Sequence, residues 1–253
     1  MNEYLQSMLE KYNLTDKMKR EVQGKRELIE KKLRAEYGNR IVTIMYSGSY
    51  GKDTAVNLDY DLDLIVYFKH SAFDTLREMY GSVYSILLQS NFGFVREQRV
   101  SIGIDLGSFH IDVVPARIIG DDSSRDANLY NKETGSNIKT NIKTHIDYIR
   151  KAQCRSAIKL MKVWKKLNGV PIKSFALELI VIRALRNYGN TDLETQFYRA
   201  LEYIRDSIDT IQLIDPANEN NVLTDTMNFL DRGIIRSHAI RAISAYDLRS
   251  VIW

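Results

Sequence analysis

The stretch Asp61-Leu62-Asp63-Leu64-Ile65-Val66-Tyr67-Phe68 decides the fold. It is short, rich in β-branched and aromatic residues, and reads as a strand. Alternate strand residues share a face, so Asp61 and Asp63 project together while Leu62, Leu64, Val66 and Phe68 point the other way, into a core. Two carboxylates at neighbouring same-face positions repel each other, and a hard divalent cation such as Mg²⁺ relieves that cost. Taken alone, Asp-x-Asp is equally a solvent-facing strand edge carrying two harmless acids.

The flanking sequence shifts that balance. Upstream, Ile41 to Tyr46 reads as a strand that runs into Ser47-Gly48-Ser49-Tyr50-Gly51. Such a turn lets backbone N–H groups approach an anion closely, and Ser49 adds a hydroxyl. Downstream, Phe73 to Ser90 is helix-like. Arg99 to Leu106 with Phe109 to Val114 forms a hairpin across Gly107-Ser108. This pairing sets Leu106 against Phe109, Ile104 against Ile111 and Gly103 against Asp112. Asp112 then shares a face with Asp105 and His110, and Gly103 leaves space beside the Asp112 carboxylate. Asp105 competes for the position of third acid; Asp112 is preferred. Two acids from one strand and a third from another can build a two-metal site, which activates a hydroxyl and stabilises in-line phosphoryl displacement.

The rest of the chain frames this core. Residues 1 to 40 read as helix, with Met18, Val22, Ile29 and Leu33 on one face. Gly120 to Asn137 is polar and reads as a long surface loop, and from about Thr144 the pattern is helical to the end. The expected fold is therefore α+β, with a mixed α/β lobe over 1–143, an all-α lobe over 144–253, and the active site in a cleft between. The 36 Lys+Arg against 32 Asp+Glu leave only +4, too little to mark a nucleic-acid binder. A single Cys154 excludes an internal disulfide framework and points to a reducing compartment. Phe175 to Leu185, the most apolar helical stretch, is too short to span a bilayer and carries Glu178 and Arg183. With no secretory signal visible, a cytoplasmic location is expected.

Gly48-Ser49-Tyr50-Gly51-Lys52-Asp53-Thr54, Asp61-Leu62-Asp63-Leu64 and Ile111-Asp112-Val113-Val114-Pro115-Ala116 together resemble the signature of the polymerase-β-like nucleotidyltransferases. The match is strongest to the branch holding oligoadenylate synthetase, cyclic GMP-AMP synthase and the bacterial CD-NTases of anti-phage signalling. The resemblance implies a polymerase-β-like core in which Asp61, Asp63 and Asp112 are catalytic and hold two Mg²⁺ or Mn²⁺ ions. It implies that Gly48 and Ser49 bind the donor triphosphate. Lys159-Leu160-Met161-Lys162-Val163-Trp164 and Lys173-Ser174-Phe175-Ala176-Leu177-Glu178-Leu179 resemble the family's helical lobe, where Lys162 and Ser174 would touch the triphosphate and Phe175 would stack on a base. Thr140-Asn141 with His145, and Ile214 to Val222, resemble further segments of it, so the likeness runs from about residue 47 to 222. Asp53 departs from the pattern, standing where the family has Gly.

Residue spacing supports part of this independently. Arg155, Lys159, Lys162 and Lys166 recur at helical intervals and form one basic stripe, while Ile158, Met161, Val163, Trp164 and Leu167 occupy other faces and can pack inward. Ser174 reads as a helix N-cap, a favourable place for phosphate. The expected activity is that of a Mg-dependent nucleotidyltransferase that makes a cyclic or short linear oligonucleotide from NTPs, ATP among them, with release of pyrophosphate. It would act as a monomer without nucleic acid or membrane, with room for a regulatory protein partner. The alternatives are transfer to an RNA 3′ end, as in archaeal CCA-adding enzymes, or to a protein. A catalytically dead binding module is the third reading, and the three acids argue against it.

Overall fold

The computed structural model describes residues 2–58, 60–107 and 109–253. In chain order its elements are α1 (Asn2–Tyr12), α2 (Asp16–Tyr37), β1 (Ile41–Tyr46), the single turn α3 (Gly48–Gly51), β2 (Leu62–Phe68) and α4 (Leu76–Leu88). Strands β3 (Phe94–Glu97), β4 (Ile102–Asp105), β5 (His110–Ile118), β6 (Ala127–Tyr130) and β7 (Asn137–Thr140) follow. Then come α5 (Ile142–Ala152), α6 (Arg155–Leu167), α7 (Ser174–Ala184), α8 (Leu193–Ser207), β8 (Ile214–Asp215), β9 (Asn218–Val222) and α9 (Phe229–Ile243).

These elements form two compact units. One comprises Thr15–Lys52 and Tyr60–Ile146; the other comprises Met1–Leu14, Asp53–Asp59 and Asp147–Trp253. The division differs from a simple cut at 143/144, because α1 and the segment from Asp53 pack with the helical half. The expected continuous N-terminal helix is likewise two helices. Thr15 stops the first and starts the second: its extended backbone and its side chain, which accepts from the Met18 N–H, make it an N-cap.

In the mixed unit the sheet runs β1-β2-β5-β4-β3, with β6 on β5 and β7 on β6. All pairs are antiparallel except β2 with β5. The first part of β5 pairs with β4 and the last part with β6. Leu62, Leu64, Val66 and Phe68 are fully buried, as their alternation predicts, among Ile44, Ile111, Val113 and the α2 residues Val22, Ile29 and Leu33. Beyond Asp63 the opposite face is apolar too. Ile65 and Tyr67 join Ala116, Ile118, Ala127 and Leu129 in a second cluster. The polar stretch read as one long loop thus contains β6 and leads into β7, because Ala127 and Leu129 alternate inward on a strand that β5 can pair.

The helical unit is built on α6, whose Ala157, Ile158, Met161 and Trp164 are buried with α7 and α8 residues such as Leu177, Val181, Phe197 and Leu201. It is not helical throughout. The two-stranded β8–β9 ladder interrupts it, held by the Asp215 carboxylate, which accepts from the Ala217 N–H at 2.8 Å and from the Asn221 amide at 3.0 Å. Among the described residues no helix is long and apolar enough to cross a membrane.

Candidate active site

The hairpin register is the one expected: Gly103 faces Asp112, Ile104 faces Ile111 and Asp105 faces His110. Leu106 donates its N–H to the Phe109 carbonyl at 2.9 Å to close the turn; Ser108, the second expected turn residue, lies outside the described residues. The parallel pairing of β2 with β5 then brings Asp63 level with Asp112. Asp61 sits one residue ahead of β2 and is exposed.

The glycine turn is bound to the same strand. The Ser47 N–H donates to the Asp63 carbonyl at 2.8 Å, and Gly51 donates back to the Ser47 carbonyl at 2.8 Å. Gly48 has φ +53°, and a Cβ there would lie 1.6 Å from Asp63 Oδ2. Both facts demand glycine: the left-handed backbone, and the close approach of main chain to carboxylate. Ser49 and Tyr50 complete this turn, and the Tyr50 ring packs on that of Tyr46 at 4.7 Å.

Electrostatics mark Asp63 as the centre. Burial, followed by the negative charges of Asp112 and Asp61, pushes its pKa up to about 7, and the opposing charges of Lys52 and His110 do not compensate. Buried Lys52 thus enters the site's field, a residue to which the sequence reading gave no role. The His110 ring lies between two acids, with Nδ1 2.8 Å from Asp105 Oδ1 and Nε2 3.0 Å from Asp112 Oδ1. Burial lowers its pKa, but the bonds and charges of the two acids outweigh this and the net shift is upward. Asp105, the rival third acid, is instead occupied by His110 and by the Arg96 guanidinium, and its pKa is lowered, the His110 bond being the main cause. Among the described residues no three His, Cys, Asp or Glu side chains are gathered tightly enough to form a metal cluster as they stand.

The helical unit holds the remaining candidates. Lys162 does not lie on a solvated basic stripe: it is 5% exposed, with Nζ 2.5 Å from Glu178 Oε1 and 2.8 Å from Thr54 Oγ1. Thr54 in turn donates to Glu178 at 2.7 Å. Leu160, Met161, Val163 and Trp164 around it on α6 are buried as well, so Lys162 does not share an exposed stripe with Lys166. The signal overlooked was Glu178, a lone acid inside an apolar helix, which must find a buried cation. Ser174 is the first residue of α7 and not its cap. Lys173 occupies the cap position in extended conformation, and the Ser174 hydroxyl accepts from Lys165 at 3.0 Å. Phe175 is half-buried against the helical core. Asp53, in the glycine position of the pattern, keeps a left-handed φ of +55°, which Asp tolerates better than most residues. Its carboxylate lies 3.3 Å from Lys159 and 3.8 Å from Arg155.

Comparison with known proteins places the chain in a family and a fold. Residues 1–152 match the family profile of the Second Messenger Oligonucleotide or Dinucleotide Synthetase domain. A cyclic AMP-AMP-AMP synthase of Escherichia coli (strain MS 115-1) is 29% identical over 217 residues, covering 70% of this chain and 67% of that protein. Among solved structures, the Bradyrhizobium diazoefficiens CD-NTase CdnG in complex with GTP superposes with a TM-score of 0.83 at 12% identity, covering 98% of this chain and 91% of that one. E. coli MS115-1 CdnC with ATP gives a TM-score of 0.73 at 21% identity, over 98% and 94% of the two chains. The same CdnC in a complex with HORMA-deltaN gives 0.75 at 21% identity, over 98% and 93%. At such identities the superpositions establish the fold, an α+β arrangement of mixed sheet and helices shared with the CD-NTases.

Proposed function

Because the chain belongs to the Second Messenger Oligonucleotide or Dinucleotide Synthetase family, we propose that it joins nucleoside triphosphates, ATP among them, into a cyclic or short linear oligonucleotide with release of pyrophosphate. The observation that carries the proposal is the β2–β5 register, which sets Asp63 level with Asp112 while the Gly48 backbone lies against the Asp63 carboxylate. One pair of strands thereby presents acids, and the glycine turn is attached to the same strand beside them.

The family's enzymes are nucleotidyltransferases and generally metal-dependent. The residues here fit such an ion: hard carboxylate oxygens, and an Asp63 that burial and two neighbouring acids hold near pH 7. Asp61, Asp63 and Asp112 would hold two Mg²⁺ or Mn²⁺ ions, which when bound polarise a ribose hydroxyl and neutralise charge on the triphosphate. Gly48 keeps the turn close to Asp63, and Ser49 adds its hydroxyl for phosphate. Lys52 lends positive charge to the same place. In the helical unit, Ser174 and Phe175 are the proposed contacts to triphosphate and base.

The E. coli CdnC has been seen with a HORMA partner. A regulatory protein of that kind is proposed here, with the product serving antiviral signalling. Incubation with each labelled NTP and with the four together, in Mg²⁺ or Mn²⁺, should give a phosphatase-resistant product that disappears in an Asp61→Ala/Asp63→Ala variant. Failure of the unsubstituted protein to make any such product, with and without a co-expressed partner, sinks the synthase proposal. Extension of an added RNA 3′ end in its place would identify the alternative acceptor.

A further inference from the structure

We propose that His110 is a positioning residue: it fixes the Asp112 carboxylate for cation binding, and Asp105 with Arg96 fixes His110 in turn. The inference rests on the metal-binding assignment of the same site. In the hairpin, His110 and Asp112 stand two residues apart on one face of β5, with Asp105 and Gly103 opposite them. The ring spans the two acids, with Nδ1 on Asp105 and Nε2 on Asp112. Arg96 on β3 holds the far side of Asp105 through an ion pair.

The ring's seat is shaped for it. A Cβ on Gly103 would lie 3.0 Å from His110 Cε1 and 2.7 Å from Gln98 Nε2, so the missing side chain is the room that the imidazole and the amide occupy. Gln98 Nε2 lies 3.4 Å from His110 Nε2. Gln98 is itself anchored: its side-chain oxygen accepts from the Ser101 hydroxyl, and the Tyr80 hydroxyl binds the carbonyls of Gln98 at 2.9 Å and Ser101 at 2.8 Å. A carboxylate on a strand turns easily about its terminal torsion. Committing Oδ1 of Asp112 to a seated ring fixes that torsion and assigns Oδ2 to a cation. Partners that orient metal-binding groups in this way are worth about 10- to 100-fold in metal affinity.

Three substitutions separate this role from mere packing. A glutamine amide can take the place of Nε2–H, an asparagine amide that of Nδ1–H, and alanine neither. Mn²⁺ binding to the full chain, measured by calorimetry without nucleotide, should weaken by about tenfold or more in His110→Ala and His110→Asn. His110→Gln should restore most of the loss. The Mg²⁺ concentration for half-maximal activity should follow the same order, with KM for NTP unchanged at saturating metal; circular dichroism and melting confirm that each variant is folded. Wild-type affinity in His110→Ala overturns the inference, as does a folded His110→Gln no better than His110→Asn. Either result, alongside loss of Mn²⁺ binding in Asp63→Ala, leaves the metal site standing. Absence of Mn²⁺ binding by the unsubstituted protein removes the metal assignment and the inference with it.

Discussion

Replacing Lys162 by Met leaves the Glu178 carboxylate, which is 0% exposed, without its ammonium partner at 2.5 Å. Removing one member of a buried ion pair costs about 3–5 kcal/mol, because the remaining charge loses its counter-ion away from water. Glu178→Leu, which strands the ammonium, should cost a similar amount. The double variant Lys162→Met/Glu178→Leu removes both charges, leaving the loss of two hydrogen bonds at Thr54, about 1–3 kcal/mol together. The cycle should therefore show a coupling of at least about 3 kcal/mol. The pair between exposed Asp53 and Lys159, the latter on α6 like Lys162, supplies the contrast: Asp53→Asn should change stability by no more than about 1 kcal/mol. Urea unfolding followed by fluorescence suits the measurement, since Trp164 is fully buried on α6 beside Lys162. Single variants that each cost under about 1 kcal/mol, and that add without coupling, would refute the buried pair. They would return Lys162 to the basic stripe that its sequence spacing suggests.

Gly48→Ala should lower kcat by about 100-fold or more while costing only about 1–2 kcal/mol of stability, since the new Cβ meets Asp63 Oδ2 and the left-handed backbone is disfavoured; steady-state kinetics with a thermal melt checks it. Asp63 carries a raised pKa in the folded chain, so in EDTA its protonation favours the folded state at low pH and that contribution is lost as pH rises from about 4 through about 7. Asp63→Asn should thus be the more stable protein at pH 8 without metal, by up to about 4 kcal/mol in urea unfolding, and the advantage should shrink at pH 5. Burial pushes the Cys154 thiol up to about 11, so Ellman's reagent at pH 8 should find it inert in the native protein and reactive in urea.

The mixed unit was largely legible because its signals are local. Alternation in Leu62 to Phe68 gave the buried face, and the Gly-Ser turn gave the hairpin register that places Asp112 opposite Gly103. The parallel pairing of β2 with β5 could not be read that way, since no turn connects the two strands; the resemblance to a family stood in for it. The helical unit was harder. Spacing on α6 says which residues share a face but not which face is covered, and Lys162 fell on the covered side. Ser174 looked like a cap because serine favours that position, yet the helix begins one residue earlier than such a cap requires, at Ser174 itself. Asp53 was visible as an anomaly, and its left-handed backbone supplies the reason that glycine is the usual occupant.

The parallel ladder has a consequence in time. Its partners Asp63 and Asp112 lie roughly fifty residues apart in sequence, and a parallel pair cannot form by local zipping from a turn. The β4–β5 hairpin can form early and seat His110 against Asp112, but the two acids stand level only once β2 has docked on the far edge of β5. A one-residue slip in that docking would turn Asp63 into the core and expose Leu62 or Leu64. The carboxylate pair is therefore completed by a long-range step of folding, and a chain in which β2 has not docked on β5 holds Asp63 beside the glycine turn without Asp112 level with it.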